Sequence, residues 1–413
     1  MTIDHLSTSV SFADTGVEPL LVERLAEMGI THPFPIQAMT IPDALAGLDV
    51  AGKAKTGSGK TLAFGLPMAQ LIGRADPKRP RSLVLVPTRE LAAQVAAALA
   101  PLLAAKGMSL ISVYGGAPMK AQIDALARGV EVVVATPGRL IDLLERKAVT
   151  FDDVEIAVVD EADEMADMGF LPQVHHIMAR LPETFQTLLF SATLDHRAQA
   201  LVRSYMTDPV FHNVESETVT VETSEHRFLE IHHMDKPRVV ARIAAAIDRT
   251  MVFVRTKRGC DEVAFQLREL GVKARAIHGD LPQPKRERML ADFTSGKTPV
   301  LVATNVAARG LHIDGVDAVI HYDLPEDSKM YLHRSGRTAR AGEAGLVVTF
   351  VEWDQLTQAR VIQKEAGLWS PIVKMFSNDD RLDNLSIFTP DGERPPPEPK
   401  KTRSRRRSRN RLL

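Results

Sequence analysis

Short continuous apolar runs alternate with longer helix-patterned stretches along this chain, and the alternation occurs twice. In the first half the runs fall at residues 49–51, 82–86 (SLVLV), 130–135 (VEVVVA), 156–159 (IAVV) and 187–190 (TLLF). A strand that is apolar at every position rather than every second one must be covered on both faces, which implies a parallel sheet between helices. Residues 213–224 (NVESETVTVETS) then interrupt the pattern with a polar, acidic stretch that reads as a crossing between domains. A second series follows at residues 251–254, 274–277, 299–303, 317–320 and 346–351. Two α/β domains in tandem are the economical reading, and 413 residues give each room for its own core. The division expected is 1–212, a linker 213–224, a second domain 225–376 and a tail 377–413.

The tail differs from the rest in charge. Residues 394–413 hold nine basic side chains against the single acid Glu398, so a chain of net charge −1 separates into a tail of +8 and a body of −9. With three prolines at 395–397 and almost no apolar side chains, the tail is expected to be disordered and to attract phosphate backbones without reading sequence. A solubilising role is the alternative. Cys260 is the only cysteine, which excludes an intramolecular disulfide and a cysteine-rich zinc site. No apolar run reaches the roughly 18 residues of a membrane span, and the N-terminal residues lack a basic region followed by an apolar one. A cytoplasmic, monomeric protein without membrane contact is expected. The pairs His175-His176 and His232-His233 do not suggest a metal centre, because neighbours on one element point apart.

Residues 54–61 read AKTGSGKT, directly after a short apolar run and ahead of a helix-patterned stretch at 62–72. Strand, glycine-rich turn and helix start is the arrangement that aims backbone N–H groups and the positive helix end at phosphates. Ala54, Lys55, Thr56, Gly57, Ser58 and Gly59 would form the cradle, Lys60 would reach the β and γ phosphates, and Thr61 would ligate Mg2+. Leu62 stands where a dinucleotide fingerprint needs its third glycine, so a dinucleotide fold is not indicated. A phosphate loop also needs a metal-holding carboxylate and a group that orients water. Asp160 and Glu161 end the run IAVV and suit those two roles, Asp160 for Mg2+ and Glu161 as general base.

Asp160, Glu161, Ala162 and Asp163 spell D-E-A-D, and together with the phosphate loop this resembles a DEAD-box ATP-dependent RNA helicase of bacterial type, in superfamily 2. The likeness extends from about residue 12 to residue 350, with many short motifs in family order. The stretch Gly29-Ile30-Thr31-His32-Pro33-Phe34-Pro35-Ile36-Gln37 resembles the adenine-reading Q motif, with Phe12 at the expected spacing before it and Phe34 in place of the usual Thr or Ser. The resemblance implies that Gln37 bonds the adenine edge. It implies that three groups grip one RNA strand: Pro87, Thr88 and Arg89; Gly115 and Gly116; and Thr136, Pro137, Gly138 and Arg139. Ser191 and Thr193 in S-A-T, with Asp163, would couple nucleotide state to RNA binding.

In the second half, Arg255 in VFVRT, Gln283 and Arg286 in Q-x-x-R, and Thr304 in ATNVAARGLHI match further RNA-binding motifs, with Asn305 and His312 where the family usually has Asp. Residues 333–342 (HRSGRTARAG) match the motif whose His333 couples the domains and whose Arg337 and Arg340 act as arginine fingers on the γ-phosphate. The fold implied is two tandem RecA-like parallel-sheet domains, the cofactors ATP and Mg2+, and the partner RNA, as single strand or short duplex with little sequence specificity. The activity implied is RNA-stimulated ATP hydrolysis coupled to local unwinding or to remodelling of RNA–protein complexes. An ATP-gated RNA clamp and a DNA helicase are the rivals, since phosphate contacts alone do not separate RNA from DNA.

Overall fold

The computed structural model describes residues 10–55, 57–214, 224–308, 313, 315–338 and 345–385. The two apolar series form two seven-stranded sheets in which every paired strand is parallel. The first contains β1 (Val50–Lys53), β2 (Ser82–Leu85), β3 (Leu110–Val113), β4 (Val132–Ala135), β5 (Ile156–Asp160), β6 (Gln186–Ser191) and β7 (Val210–Asn213), in the order β3-β4-β2-β5-β6-β1-β7. The second contains β8 (Ser224–Glu230), β9 (Thr250–Phe253), β10 (Ala274–Ile277), β11 (Val300–Ala303), β12 (Ala318–His321), β13 (Gly345–Val351) and β14 (Ile372–Lys374), in the order β10-β11-β9-β12-β13-β8-β14. Counted from the first strand of each sheet, the two orders are identical. The α/β, parallel-sheet expectation is therefore met in both halves.

The continuous apolar runs pack as anticipated. In β4, Val132 and Val134 join the core on one face of the sheet while Val133 and Ala135 join the core on the other. Burying a valine or leucine side chain is worth about 1.5–3 kcal/mol, so two covered faces per strand explain why polar residues are kept out of these runs. Four strands escaped the apolar-run reading. Three of them, β3, β7 and β14, are sheet edges with partly exposed faces. The fourth, β8, reads SEHRFLE because its charged side chains leave the sheet while Phe228 and Leu229 stay buried.

Two boundaries need correction. Asn213 and Ser224, assigned to the linker, are strand residues that pair with Lys53 and Gly345. Residues 377–385, assigned to the disordered tail, belong to the second domain. Leu382 and Leu385 are buried in its core, the short 3-10 turn Asp380–Asn384 is ordered, and Arg242 holds Asp383 through two bonds of 3.0 and 2.7 Å. Leucines at 382 and 385 carry this segment because their burial against the helix Lys236–Ala246 outweighs the polar residues between them. The basic stretch 394–413 lies outside the described residues.

Candidate functional site

In a parallel α/β sheet the loops beyond the carboxyl ends of the strands meet on one edge. On that edge of the first sheet, β1 runs into the phosphate loop. Ala54 is buried and its N–H bonds the Ser191 carbonyl at 3.0 Å, continuing the strand pairing, which accounts for a small residue other than glycine there. Gly57 and Gly59 have φ of +81° and +84°. A Cβ on Gly59 would lie 2.4 Å from the Gln37 amide nitrogen and 2.6 Å from the Phe34 ring, so glycine is required by space as well as by conformation. Ser58 closes the turn on the Lys55 carbonyl at 2.6 Å, and Lys60 opens the helix Lys60–Leu71, followed by Thr61. Thr56 lies outside the described residues.

Lys60 and Glu161 are both buried, and Nζ donates to Oε1 at 2.8 Å. Burial disfavours the ammonium, yet Glu161, Asp160 and Asp163 together hold its pKa above the ordinary value. Asp160, at the end of β5, is pushed up to about 7, chiefly by burial and partly by the Glu161 charge, against the pull of Lys60. Glu161 has φ +53°, a left-handed conformation costing about 1–2 kcal/mol for a side-chain-bearing residue, and it turns the chain from β5 into the helix Ala162–Asp167. Asp163 ties that helix to β6. Its N–H donates to Ser191 Oγ at 3.1 Å, and its Oδ2 accepts from the Thr193 N–H and hydroxyl at 2.9 and 2.8 Å. Ser191 Oγ in turn donates to the Thr193 carbonyl at 2.7 Å. The structure thus joins Lys60, Asp160, Glu161, Asp163, Ser191 and Thr193 in one cluster.

The Q-motif residues pack against the phosphate loop and the first-domain core. Gln37 is 1% exposed; its Oε1 accepts from the Phe34 N–H at 2.8 Å and its Nε2 donates to the Gly59 carbonyl at 2.8 Å. Its amide braces the phosphate loop. Phe12 is also 1% exposed and packs within the first-domain core, so its ring fills volume there and offers no open face. Phe34, by contrast, is 56% exposed beside Gly59.

The strand-binding motifs follow β2, β3 and β4, which are neighbours in the sheet. Pro87 and Thr88 are buried, and Thr88 caps the helix Arg89–Ala105 by accepting from Leu91 N–H at 3.2 Å. Arg89 lies against Gly115 and Gly116, whose missing side chains leave room for its guanidinium. Thr136 and Pro137 open the next helix with Gly138 exposed, while Arg139 reaches back to the Ala117 carbonyl at 3.1 Å and Gln122 at 3.2 Å. Arg139 therefore supports the Gly115–Gly116 loop.

The second domain repeats this edge with the equivalent strands β9, β10 and β11. Arg255 is exposed after β9, and Thr304 is buried after β11, where its hydroxyl caps Ala307 at 3.4 Å. Gln283 and Arg286, expected to touch RNA, are both buried. Gln283 bonds Glu287 at 3.1 Å, and Arg286 crosses to the first domain to pair with Glu90 at 2.9 Å. Arg286 thus joins the two edges, while Gln283 is held within its own helix. Glu90 was not singled out by sequence; only its place in PTRELA marked it.

The motif at residues 333–342 begins on the helix Ser328–Ser335. Arg334 is buried and bonds Asn305 at 2.6 Å and the Asp323 carbonyl at 3.2 Å, with its guanidinium 5.1 Å from the Phe253 ring centre. His333 and Arg337 line a cleft with Asn305 and, from the first domain, Glu164. Arg340 and His312 lie outside the described residues. Arg334, Asn305 and Glu164 carry no signal in composition or spacing beyond their motifs.

Comparison with known proteins follows this geometry. Residues 34–201 match the DEAD/DEAH box helicase family and residues 235–342 match the helicase conserved C-terminal domain. The ATP-dependent RNA helicase CshA of Listeria monocytogenes is 41% identical over 355 residues, covering 86% of this chain and 68% of the relative. The ATP-dependent RNA helicase RhlB of Xanthomonas oryzae pv. oryzae is 45% identical over 358 residues, covering 84% of this chain but only 62% of the relative, so the chain spans less than two thirds of that protein. A structure of Saccharomyces cerevisiae Dbp5 bound to RNA and ADP BeF3 superimposes with a TM-score of 0.78 at 27% identity, over 91% of this chain and 98% of the other.

Proposed function

From a chain that belongs to the DEAD-box family of ATP-dependent RNA helicases, we propose an enzyme that hydrolyses ATP when RNA is bound and uses the cycle to separate short RNA duplexes or remodel RNA–protein complexes. The observation that carries this reading is the cleft in which Glu164 of the first domain meets His333 and Arg337 of the second, next to the phosphate loop's own domain edge.

The chemistry follows from the Lys60–Glu161 pair. Phosphate oxygens compete with Glu161 for the Lys60 ammonium, and each charged hydrogen bond there is worth about 1.5–3 kcal/mol. Once Lys60 turns to the phosphates, the Glu161 carboxylate is released to take the proton of the attacking water. Arg337, at the cleft, and by the family motif Arg340 would neutralise charge that develops on the γ-phosphate. Asp163, bonded to Thr193, ties the acid helix to the loop that runs from β6 into the helix His196–Tyr205 and would carry the nucleotide state to the RNA-binding loops. ATP and RNA each favour the joined domains and so favour each other's binding.

A divalent ion fits this donor set in a limited way. Among the described residues no group of three His, Cys, Asp or Glu converges to hold one alone. Asp160 and Thr61 would therefore hold Mg2+ together with nucleotide oxygens and water, and the ion would neutralise phosphate charge. Burial and the Glu161 charge push the Asp160 carboxyl up to about 7, and a bound cation would favour its ionised form. RNA would meet the loops beyond β2, β3, β4, β9, β10 and β11 through backbone N–H groups and Arg89, contacts that position a strand without reading bases. The +8 tail would add ATP-independent attraction with a steep salt dependence. Among the described residues no helix is long and apolar enough to cross a membrane. The lone thiol, Cys260, is buried and pushed up to about 12, which keeps it protonated and unreactive.

The deciding experiment is ATP turnover with single-stranded RNA, single-stranded DNA or neither. Stimulation by RNA alone is expected. Equal stimulation by DNA would overturn the RNA assignment, and no stimulation by either would overturn the reading.

A further inference from the structure

A second ionic contact crosses between the domains, on residues outside the motifs described above. Lys329, the second residue of the helix Ser328–Ser335, places Nζ 2.9 Å from Asp167 Oδ2 and 3.2 Å from Asp167 Oδ1, with Asp195 Oδ2 at 3.8 Å. Asp167 ends the helix Ala162–Asp167, which starts directly after Glu161. Asp195 stands two residues beyond Thr193 and caps the helix His196–Tyr205, accepting from the N–H groups of Arg197 and Ala198 at 3.0 Å each.

The first domain prepares this socket by itself. Arg197 bonds Asp167 and reaches Asp195 at 3.3 Å, so two carboxylates are fixed around one guanidinium and the socket has a net charge of −1. Lys329 brings the missing +1 from the second domain. Burial works against the charged form of Asp167, yet Lys329 and Arg197 hold its carboxyl below the usual range. On its own helix Lys329 lies one turn before His333, on the same face, and His333 and Arg337 line the cleft opposite Glu164.

We propose that Lys329 is a positioning residue: by seating its ammonium between Asp167 and Asp195 it latches the helix that leads to Arg337 onto the helix that follows Glu161, and so sets how readily the joined state forms. The inference rests on the helicase reading, in which hydrolysis requires the domains to meet. The pair is partly exposed, its Lys329 side chain at 36%, so its effect is modest and sensitive to salt. The latch acts on the meeting of the domains and leaves the phosphate loop untouched.

The test uses the full chain with Lys329→Ala, Lys329→Glu and Lys329→Arg. RNA affinity is measured with and without a non-hydrolysable ATP analogue, and the ratio reports the coupling between the two ligands. Lys329→Ala should reduce that ratio by roughly 1.5- to fivefold at low salt and Lys329→Glu by more, while Lys329→Arg keeps it. RNA-free affinity for the analogue should stay within about twofold in all three. The advantage of wild type over Lys329→Ala should shrink as salt rises. Small-angle scattering with analogue and RNA gives a readout independent of turnover: at concentrations below saturation, Lys329→Glu should remain more extended than wild type. A wild type without RNA-stimulated turnover would count against the helicase reading. Equal coupling ratios and equal radii for wild type and Lys329→Glu would overturn the latch alone.

Discussion

The two sheets share one strand order, and the comparison between the helices that follow their first strands shows how a repeated scaffold acquires a site in only one copy. After β1 the helix opens with Lys60; after β8 it opens with Lys236. Both side chains are buried, at 5% and 3% exposure, and each meets a glutamate: Lys60 with Glu161 at 2.8 Å, Lys236 with Glu352 at 2.7 Å. The surroundings differ. Lys236 also donates to the Tyr322 carbonyl at 3.0 Å and lies 5.2 Å from the Tyr322 ring centre, and the turn at residues 231–235 contains no glycine. Its charge is balanced by Glu352 and two of its donors are engaged. Lys60 faces Asp160, Glu161 and Asp163 behind a loop with two glycines at positive φ. That excess of carboxylate behind a glycine-rich turn at a helix start is the feature that supports the proposed phosphate site in the first copy.

Breaking the first pair should have the largest effect. Glu161→Gln should slow ATP hydrolysis by about 10² to 10⁴, the range for loss of a general base, while nucleotide still binds. Glu352→Gln should leave the rate within about twofold. Single-turnover measurements on both decide whether the two glutamates differ in role or merely in place, and normal turnover in Glu161→Gln would sink the assignment.

Removing the lysines separates binding from stability. Lys60→Ala should weaken ATP affinity by roughly ten- to a hundredfold, as expected for loss of a charged hydrogen bond to phosphate. Lys236→Ala should leave ATP affinity unchanged and lower stability by about 1–3 kcal/mol, below the 3–5 kcal/mol of a fully buried pair because Glu352 is 29% exposed. Titration calorimetry and thermal melts read the two effects; a Lys236→Ala protein that binds ATP poorly but melts normally would reverse the contrast.

The smallest effect sharpens the charge argument through pH. Asp160 titrates at about 7 in the folded chain against an ordinary value of 3.8, with burial the main cause. The folded state therefore keeps a proton that the unfolded state has lost, and this group makes stability fall as pH rises from about 4 through about 7. Asp160→Asn cannot titrate. Its melting temperature relative to wild type, without divalent cation, should match at pH 4 and gain with pH until above 7. A constant difference across that window would place the excess negative charge elsewhere.

Much of the site was legible because its geometry is local. The phosphate loop needs only a strand end, two glycines and a helix start within a dozen residues, and the acid pair needs only the end of β5. The Q motif was legible as a stretch but not as a geometry: whether Gln37 faces a base or the Gly59 carbonyl depends on how two distant loops pack. Arg286 illustrates the limit most clearly. Its partner Glu90 stands 196 positions earlier, and no local pattern distinguishes an arginine reserved for a neighbouring domain from one left to meet a phosphate.

By itself the sequence determined the fold class, the existence of two domains, the phosphate loop and the order of the motifs, because apolar periodicity and backbone conformational preferences act over a few residues. Tertiary structure decided the edge strands β3, β7 and β14, the extension of the second core to Leu385, the burial of Phe12 and Gln37, and the cross-domain pairs of Arg286 and Lys329. Those depend on desolvation and on charges brought within 4 Å of each other, energies that arise only when segments far apart in the chain share one low-dielectric surface.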